Sequence, residues 1–239
     1  MPDHQVTTNE EWRTARRALL EREREHDQLG EDITRQRREL PWVRVDKEYT
    51  FDTEDGPKTL AELFDGRSRL IGYHVMFGPK WAAPCPGCAS LLDQLDRTLA
   101  HVNDEDVTLI GLSHAPIEKL SAYKERRGWQ LPYVSTHRSD FGYDFNVSFT
   151  EEQRRTGAEY NFERVDFDEV MKGFADSPQM DDIAASMGID LEAYVTTEGP
   201  GLFAFALEDG DVYLTYSAYA PEVNILVLSA RILDRVSTA

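Results

Sequence analysis

The spacing of apolar residues predicts alternating helices and buried strands along most of the chain. Continuous apolar segments at Leu70 to Phe77 and Val107 to Leu112 have strand length and predict central strands that are buried on both faces. Between them, leucines at helical spacing over residues 91–99 predict an amphipathic helix. A second helix is predicted at Ile117 to Arg127, where Gly128 ends it. This alternation is typical of an α/β protein.

The first forty residues follow a different, mostly polar pattern. Thr8 and Glu11 make a capping box, helical spacing follows, and Leu40-Pro41 ends the predicted helix, which Gly30 would divide into two pieces. The apolar stripe of this helix is narrow, so the helix either lies solvated on the surface or pairs with a second copy in a homodimer. We therefore predict an N-terminal helical arm at 1–40 and one α/β domain at 41–239.

Short strands, turns and helices are predicted through the rest of residues 41–239. They comprise strands at 42–45, 49–52 and 133–135, a turn at 54–57, a short helix at 59–64, a hairpin of strands 202–207 and 212–216, and a closing helix from Pro221 to Leu233. From the strand at Leu70 onward, the order is then β-α-β-α-β, an insertion, and β-β-α. That order requires a central mixed sheet with helices on both faces.

Residues 150 to about 198 form an acidic insertion in this pattern. They hold thirteen Asp and Glu residues against four Lys and Arg residues, which is half of the chain's net charge of −18. Helical segments are predicted at 165–174 and 180–193. The insertion is expected to be either a solvated cover or a mobile flap.

The overall negative charge limits the partners of the protein. A net charge of −18 disfavours nucleic acids and anionic membranes, because both would be repelled without a local basic patch, and the sequence has none. No apolar segment reaches the roughly 18 to 20 residues that a membrane span needs. The first residues, with Asp3 and Glu10 ahead of any apolar segment, lack the basic and then apolar pattern of a secretory signal. We therefore expect a cytoplasmic protein.

The two cysteines of the chain lie in one tetrapeptide, Cys85-Pro86-Gly87-Cys88, between a predicted buried strand and an amphipathic helix. This is a typical setting for a redox-active disulfide. Pro86 suits a first helical turn, so Cys85 is expected at the helix N-cap, where free N–H groups and the helix dipole stabilise a thiolate. Cys85 is the predicted attacking nucleophile, and Cys88, one turn further along, is the resolving thiol.

Other uses of the cysteine pair have less support. A closed zinc site needs four ligands, and the sequence has neither a second Cys-x-x-Cys nor a paired histidine motif, since its histidines at 74, 101, 114 and 137 are scattered. Covalent haem attachment needs a histidine where Ala89 stands. An inert, buried pair stays open as an alternative. We therefore expect no metal and no cofactor.

Longer stretches of the chain resemble known proteins. Tyr49 to Val147 is similar in layout to the thioredoxin-like superfamily in its peroxiredoxin-type form. More narrowly, the chain resembles the bacterial domain-of-unknown-function family 899, through the N-terminal helix and the segments Leu40-Pro41-Trp42-Val43, Asp65-Gly66-Arg67-Ser68, Tyr73-His74, Met76-Phe77-Gly78-Pro79, Ser139-Asp140-Phe141 and Tyr143-Asp144-Phe145. That family is predicted to consist of dithiol–disulfide oxidoreductases. The resemblance implies a thioredoxin-like fold and, as substrates, disulfides or thiols of proteins or small molecules.

Thioredoxin residue roles carry over only in part. The resemblance implies a cis proline that faces the cysteines, with Pro200 as its natural counterpart and Pro132 as the next candidate; an ordinary turn proline is the alternative. Trp81 is expected either to wall the site or to pack in the core. Pro84 replaces the tryptophan that thioredoxins carry before the first cysteine. The Gly-Pro pair between the cysteines of thioredoxins is reversed here to Pro86-Gly87.

The proton acceptor of thioredoxins has no counterpart in the strand before the cysteines. No carboxylate lies between Gly72 and Asp93. His74 stands in that strand and is either a proton carrier or a histidine satisfied within the core. Because the surroundings of the cysteines set the reduction potential, the direction of exchange stays open.

Two further functions compete with thiol–disulfide exchange. The peroxiredoxin-type layout suggests a weak thiol peroxidase. However, the Thr or Ser expected three residues before the reacting cysteine is Ala82 or Cys85, and no arginine lies between Arg164 and Arg231. A non-enzymatic thioredoxin-like protein is the other alternative, which would bind a partner or a small ligand through the acidic insertion and use its cysteines as a redox sensor.

Overall fold

The computed structural model describes residues 6–174 and 177–226. These residues fall into two compact units, which divide between Pro41 and Trp42. Across the described residues, no helix is both long and apolar enough to cross a membrane.

The first unit contains helix α1 (Asn9–Arg38), which has no buried residue. Its predicted capping box is confirmed: the Thr8 side chain accepts from the Glu11 N–H, and the Glu11 carboxylate accepts from the Thr8 N–H at 3.0 Å. The helix continues through Gly30, so the division predicted there is wrong. A single glycine costs about 1 kcal/mol in a helix interior, which a helix of this length tolerates.

The second unit is built on an eight-stranded mixed sheet. Along the chain, the described strands are β1 (Val43–Arg44), β2 (Thr50–Thr53), β3 (Gly56–Thr59), β4 (Arg69–His74), β5 (Val107–Ser113), β6 (Tyr133–Ser135), β7 (Ala158–Tyr160), β8 (Glu163–Val165), β9 (Gly201–Glu208) and β10 (Asp211–Tyr219). The order in the sheet is β1-β10-β9-β4-β5-β6-β2-β3, and β7 and β8 form a separate hairpin. Strands β4, β5 and β6 are parallel, whereas β9 is antiparallel to β4 and to β10. A parallel core with an antiparallel hairpin beside it is the thioredoxin-like arrangement that the sequence predicts.

Helices and loops cover both faces of this sheet. The helices are α2 (Pro86–Asp96), α3 (Leu99–Asp104), α4 (Ile117–Arg127), α5 (Phe141–Asp144), α6 (Glu151–Thr156), α7 (Phe167–Phe174), α8 (Pro178–Ser186) and α9 (Leu191–Thr196). Leu109 of β5 packs in one apolar cluster with α2 and α4, whereas the next residue, Ile110, packs in another with Phe64 and Phe141. Because successive strand residues point to opposite faces, the central strands are buried on both sides, as predicted.

The acidic insertion differs most from the sequence predictions. It contains the unpredicted hairpin of β7 and β8. The single helix predicted over 180–193 is instead two helices, α8 and α9. Gly188, with φ +71°, lies between them, and the Asp190 side chain caps α9 by accepting from the Ala193 N–H at 2.7 Å. Most of the predicted closing helix lies outside the described residues. The part that the structure describes contains a 3-10 helix at Glu222–Leu226.

Candidate functional site

The two cysteines lie at the start of α2, on the chain segment that follows central strand β4. Cys85 is the N-cap residue and Pro86 opens the first turn, as the sequence predicts. The Cys85 N–H donates to the Met76 carbonyl at 2.9 Å, which ties the connecting loop together. Neither cysteine forms a disulfide, and the exposed fraction is 6% for Cys85 and 5% for Cys88. The first turn of one helix therefore holds both thiols, close to the surface but shielded.

The two thiols are electrostatically unequal. A hydrogen bond from the Cys88 thiol is the main cause that lowers the pKa of Cys85 to about 6, against the opposing effect of burial. The backbone N–H groups of Cys88 and Gly87 and the Tyr194 hydroxyl make smaller contributions. The same thiol pairing, together with burial, raises the pKa of Cys88 well above its ordinary value. At neutral pH, Cys85 is therefore mostly thiolate and Cys88 is protonated.

Strand β4 provides a contact to the second thiol. The Tyr73 hydroxyl donates a hydrogen bond to Cys88, and its side chain is 2% exposed. Burial, followed by the nearby Cys88, raises the pKa of Tyr73 well above its ordinary value, so the hydroxyl keeps its proton. Sequence reasoning missed this role, because an aromatic residue in a buried strand has no pattern that separates it from the core.

The acidic insertion covers the dithiol. From α9, the Tyr194 hydroxyl lies 3.7 Å from the Cys85 sulfur, and the Tyr194 ring centroid lies 6.3 Å from that of Trp81. The Met187 carbonyl accepts from the Ala82 N–H at 2.8 Å. The Met187 side chain is fully buried in the same apolar cluster as both cysteines. Trp81, 2% exposed, packs in this cluster, and its ring also borders that of Tyr194.

One family of bacterial proteins matches the whole chain. Residues 1–239 match the family described as "Bacterial protein of unknown function (DUF899)". The chain belongs to this family. The resemblance seen in the sequence motifs is thereby confirmed. Among curated proteins, none matches this sequence.

Solved structures similar to this DUF899 protein include peroxiredoxins. The peroxidoxin BcpB from Mycobacterium tuberculosis is 10% identical with a TM-score of 0.48, and the match covers 81% of this chain and 97% of that one. A peroxiredoxin Q from Xanthomonas campestris is 13% identical with a TM-score of 0.45, covering 81% and 95%. A PrxQ from Xylella fastidiosa is 9% identical with a TM-score of 0.46, covering 82% and 96%.

The proline before β9 is not cis in this DUF899 protein. Pro200 directly precedes β9, but the cis peptide bond among the described residues is Ala220-Pro221, so the cis geometry expected at Pro200 is wrong. Hydrogen bonds, rather than a cis peptide bond, hold the segment that enters β9. The Gly199 N–H donates to the Val147 carbonyl at 2.9 Å, and the Pro200 carbonyl accepts from the Tyr160 hydroxyl at 2.9 Å.

The residues around the cysteines divide into buried and exposed positions. Pro84 is buried before the helix, whereas Pro86 and Gly87 are exposed on its first turn. A Cβ added at Gly87 would have the Cys85 sulfur as its nearest neighbour, at 3.8 Å. The glycine therefore leaves a side of the Cys85 sulfur free of side-chain cover.

His74 is a neutral histidine at the end of β4. Its side chain is fully buried, and this burial lowers its pKa. Nδ1 lies 3.0 Å from the Gly199 carbonyl, which can only accept, so Nδ1 carries the proton. Nε2 has no hydrogen-bond partner among the described residues and lies 3.7 Å from a carboxylate oxygen of Glu198. The contacts of His74 are thus with the segment that enters β9.

The sequence analysis missed a buried carboxylate, Glu198, which is 3% exposed. It accepts from His114 Nδ1 at 2.8 Å and from the Ser148 hydroxyl at 2.7 Å. His114 was expected to be isolated, yet it directly follows β5, and Glu198 shortly precedes β9. The usable signal is that both polar residues flank buried strands. Within the described residues, no three His, Cys, Asp or Glu side chains are grouped so as to hold a metal ion.

Proposed function

We propose that this protein is a thiol–disulfide oxidoreductase in which Cys85 attacks and Cys88 resolves. One observation carries the proposal: at the N-terminus of α2, the Cys85 thiolate accepts a hydrogen bond from the Cys88 thiol, with a pKa of about 6. A thiolate at neutral pH is the nucleophile that exchange requires. A second thiol one turn away supplies the group that releases the product.

The reaction follows from this arrangement. The Cys85 thiolate attacks one sulfur of a substrate disulfide, whose S–S bond breaks, and the departing thiolate takes a proton from solvent. Cys88 then loses its proton and attacks the Cys85 sulfur, which releases the second substrate thiol. Two electrons pass to the substrate, and a Cys85–Cys88 disulfide forms. Once Cys85 is in the mixed disulfide, it no longer raises the pKa of Cys88, so the second step becomes easier.

Single-cysteine variants test this proposal, because the chain has two cysteines and each variant keeps one thiol. Dithiothreitol reduces insulin slowly on its own, and Cys85→Ser should abolish the acceleration of this reaction by the protein. Cys88→Ser should accumulate a mixed disulfide with oxidised glutathione, visible by mass spectrometry. Ser90→Ala, an exposed change on the same helix, should leave both reactions unchanged. Insulin reduction by Cys85→Ser at the wild-type rate would contradict the proposal.

Hydrogen peroxide separates the competing functions. A thiol peroxidase would consume peroxide many times faster than a free thiolate, whereas we expect a rate close to that of a free thiolate. The main contacts that stabilise the Cys85 thiolate come from a thiol, backbone amides and a phenol. A redox sensor without enzymatic turnover would form the Cys85–Cys88 disulfide but would not reduce insulin.

A cytoplasmic homodimer completes the proposal. The chain has two cysteines, both in one tetrapeptide, which argues against a disulfide-stapled secreted scaffold and fits a reducing compartment. Helix α1 has no buried residue, although Trp12, Leu19, Leu29 and Ile33 give it an exposed apolar stripe. Because helices gain most of their stability from packing an apolar face, a second copy is the proposed partner of this arm. The net charge of −18 argues against nucleic acids and anionic membranes as partners.

A further inference from the structure

A cavity of about 420 Å³ lies beside the cover of the dithiol and has no part in the proposed exchange. Helix α9 borders it through Ala193, the neighbour of Tyr194, and Trp81 also lines it. The cysteines do not line this cavity. Its volume is in the range of sites for small organic ligands.

A polar group is fixed in the wall of the cavity. His114 lines it and donates from Nδ1 to Glu198 at 2.8 Å, since a carboxylate only accepts. Nε2 is the remaining polar atom of the ring and has no hydrogen bond among the described residues. The Ser148 hydroxyl holds the other oxygen of Glu198 at 2.7 Å. The orientation of His114 is therefore set before any ligand arrives.

Two cations also face the cavity. Lys80 and Arg154 line it, and neither has a salt bridge within the described part of the chain. Of the carboxylates that line it, Glu198 is paired with His114, and Asp190 caps α9 through the Ala193 N–H. Glu151, in the first turn of α6, is the remaining acidic group. In a chain of net charge −18, cations without paired carboxylates favour an anionic ligand at this place.

The rest of the wall is aromatic and apolar. Trp81, Phe149 and Ile189 line the cavity together with Tyr143, whose ring packs edge-on against His114 at a centroid distance of 5.5 Å. Aromatic walls bind flat apolar groups through stacking and edge contacts. The wall therefore suits the body of a ligand whose charged group meets Lys80 and Arg154.

We propose that this cavity is a binding site for a small aromatic carboxylate. Lys80 and Arg154 would hold the carboxylate, Trp81 and Phe149 would contact the ring, and His114 Nε2 would hydrogen-bond a polar substituent. The proposal is independent of the thiol chemistry. A protein whose cysteines were inert would still have this site.

Isothermal titration with naphthoate tests the site. Wild-type protein should give saturable binding. Lys80→Gln/Arg154→Gln should weaken this binding at least about tenfold, because the charge-assisted hydrogen bonds to the carboxylate are lost. The matched control is Lys58→Gln/Lys172→Gln, which removes the same charge from two lysines that pair with carboxylates outside the cavity. It should bind naphthoate within about twofold of wild type. Naphthylmethanol and naphthylmethylammonium should each bind at least about tenfold more weakly than naphthoate.

Three results would overturn the proposal. The first is the absence of saturable binding at millimolar naphthoate. The second is equal affinity for the carboxylate and the neutral alcohol, which would indicate an unspecific apolar cleft. The third is equal weakening in the control variant, which would indicate a response to net charge alone. Cys85→Ser/Cys88→Ser should bind naphthoate as tightly as wild type, so failure of the exchange chemistry and failure of this site are distinguishable.

Discussion

Replacing Cys88 with Ala removes the main contact that stabilises the Cys85 thiolate. The pKa of Cys85 is about 6, compared with an ordinary value of 9.0. This difference of about three pKa units corresponds to about 4 kcal/mol in favour of the thiolate. Several donors share this free energy, of which the Cys88 thiol is the largest.

A hydrogen bond to a charged group contributes about 1.5 to 3 kcal/mol, or about one to two pKa units. Cys88→Ala should therefore raise the pKa of Cys85 from about 6 to between about 7 and 8. At pH 7, the thiolate fraction would fall from about nine-tenths to between about one-half and one-tenth. Tyr194→Phe removes a smaller contribution and should raise the pKa by less.

The pH dependence of alkylation by iodoacetamide measures this pKa directly. In Cys88→Ala, Cys85 is the single thiol of the chain, so the signal has one source. Ser90→Ala controls for a change on the exposed side of α2. A Cys85 pKa in Cys88→Ala equal to that of the wild type would refute the reasoning. The helix N-terminus would then be the main source of thiolate stability.

Gly111→Ala should lower the free energy of unfolding by about 1 to 3 kcal/mol in chemical denaturation, because an added Cβ would lie 2.8 Å from the Tyr133 ring. Gly173→Ala has open space around it and serves as the control; equal stability of the two variants would contradict the packing argument. Folded His74 is neutral because burial lowers its pKa, whereas the unfolded chain takes up this proton below about 6.5. Stability should therefore fall as the pH drops below about 6.5, by up to about 1.4 kcal/mol per pH unit from this residue, and less steeply in His74→Asn. Identical acid slopes in urea titrations would show that His74 is not responsible. Leu19→Glu should convert the proposed homodimer to a monomer in light scattering, and a monomeric wild type would remove the basis for this interface.

Elements whose ends depend on neighbouring residues could be predicted from the sequence. Helix α4 runs from Ile117 to Arg127, as predicted, because Gly128 adopts φ +73° and closes it. The N-cap position of Cys85 follows equally from Pro86, which fits only the first turn. In both cases, the backbone preferences of a few adjacent residues determine the structure.

Contacts made across long stretches of the chain could not be predicted in this way. Tyr194 is 109 residues from Cys85, and Glu198 is 84 residues from His114. Their meeting depends on how the insertion packs on the sheet, which no local pattern encodes. The break between α8 and α9 had a local signal, Gly188 followed by a capping Asp190, which the apolar spacing of 180–193 obscured.

Two electrostatic effects meet where the acidic insertion covers the thiolate: hydrogen bonds to the Cys85 sulfur and the negative charge of the insertion. The Cys85 thiolate is stabilised by neutral donors in direct contact, including Tyr194 from the insertion itself. Hydrogen bonds and burial are the largest causes of the shift in the pKa of Cys85, and no carboxylate of the insertion is among them. The carboxylates of the insertion instead act on charged molecules that approach the insertion itself. We infer that the first turn of α2 and Tyr194 set the reactivity of Cys85, whereas the carboxylates of the insertion influence which substrates reach it.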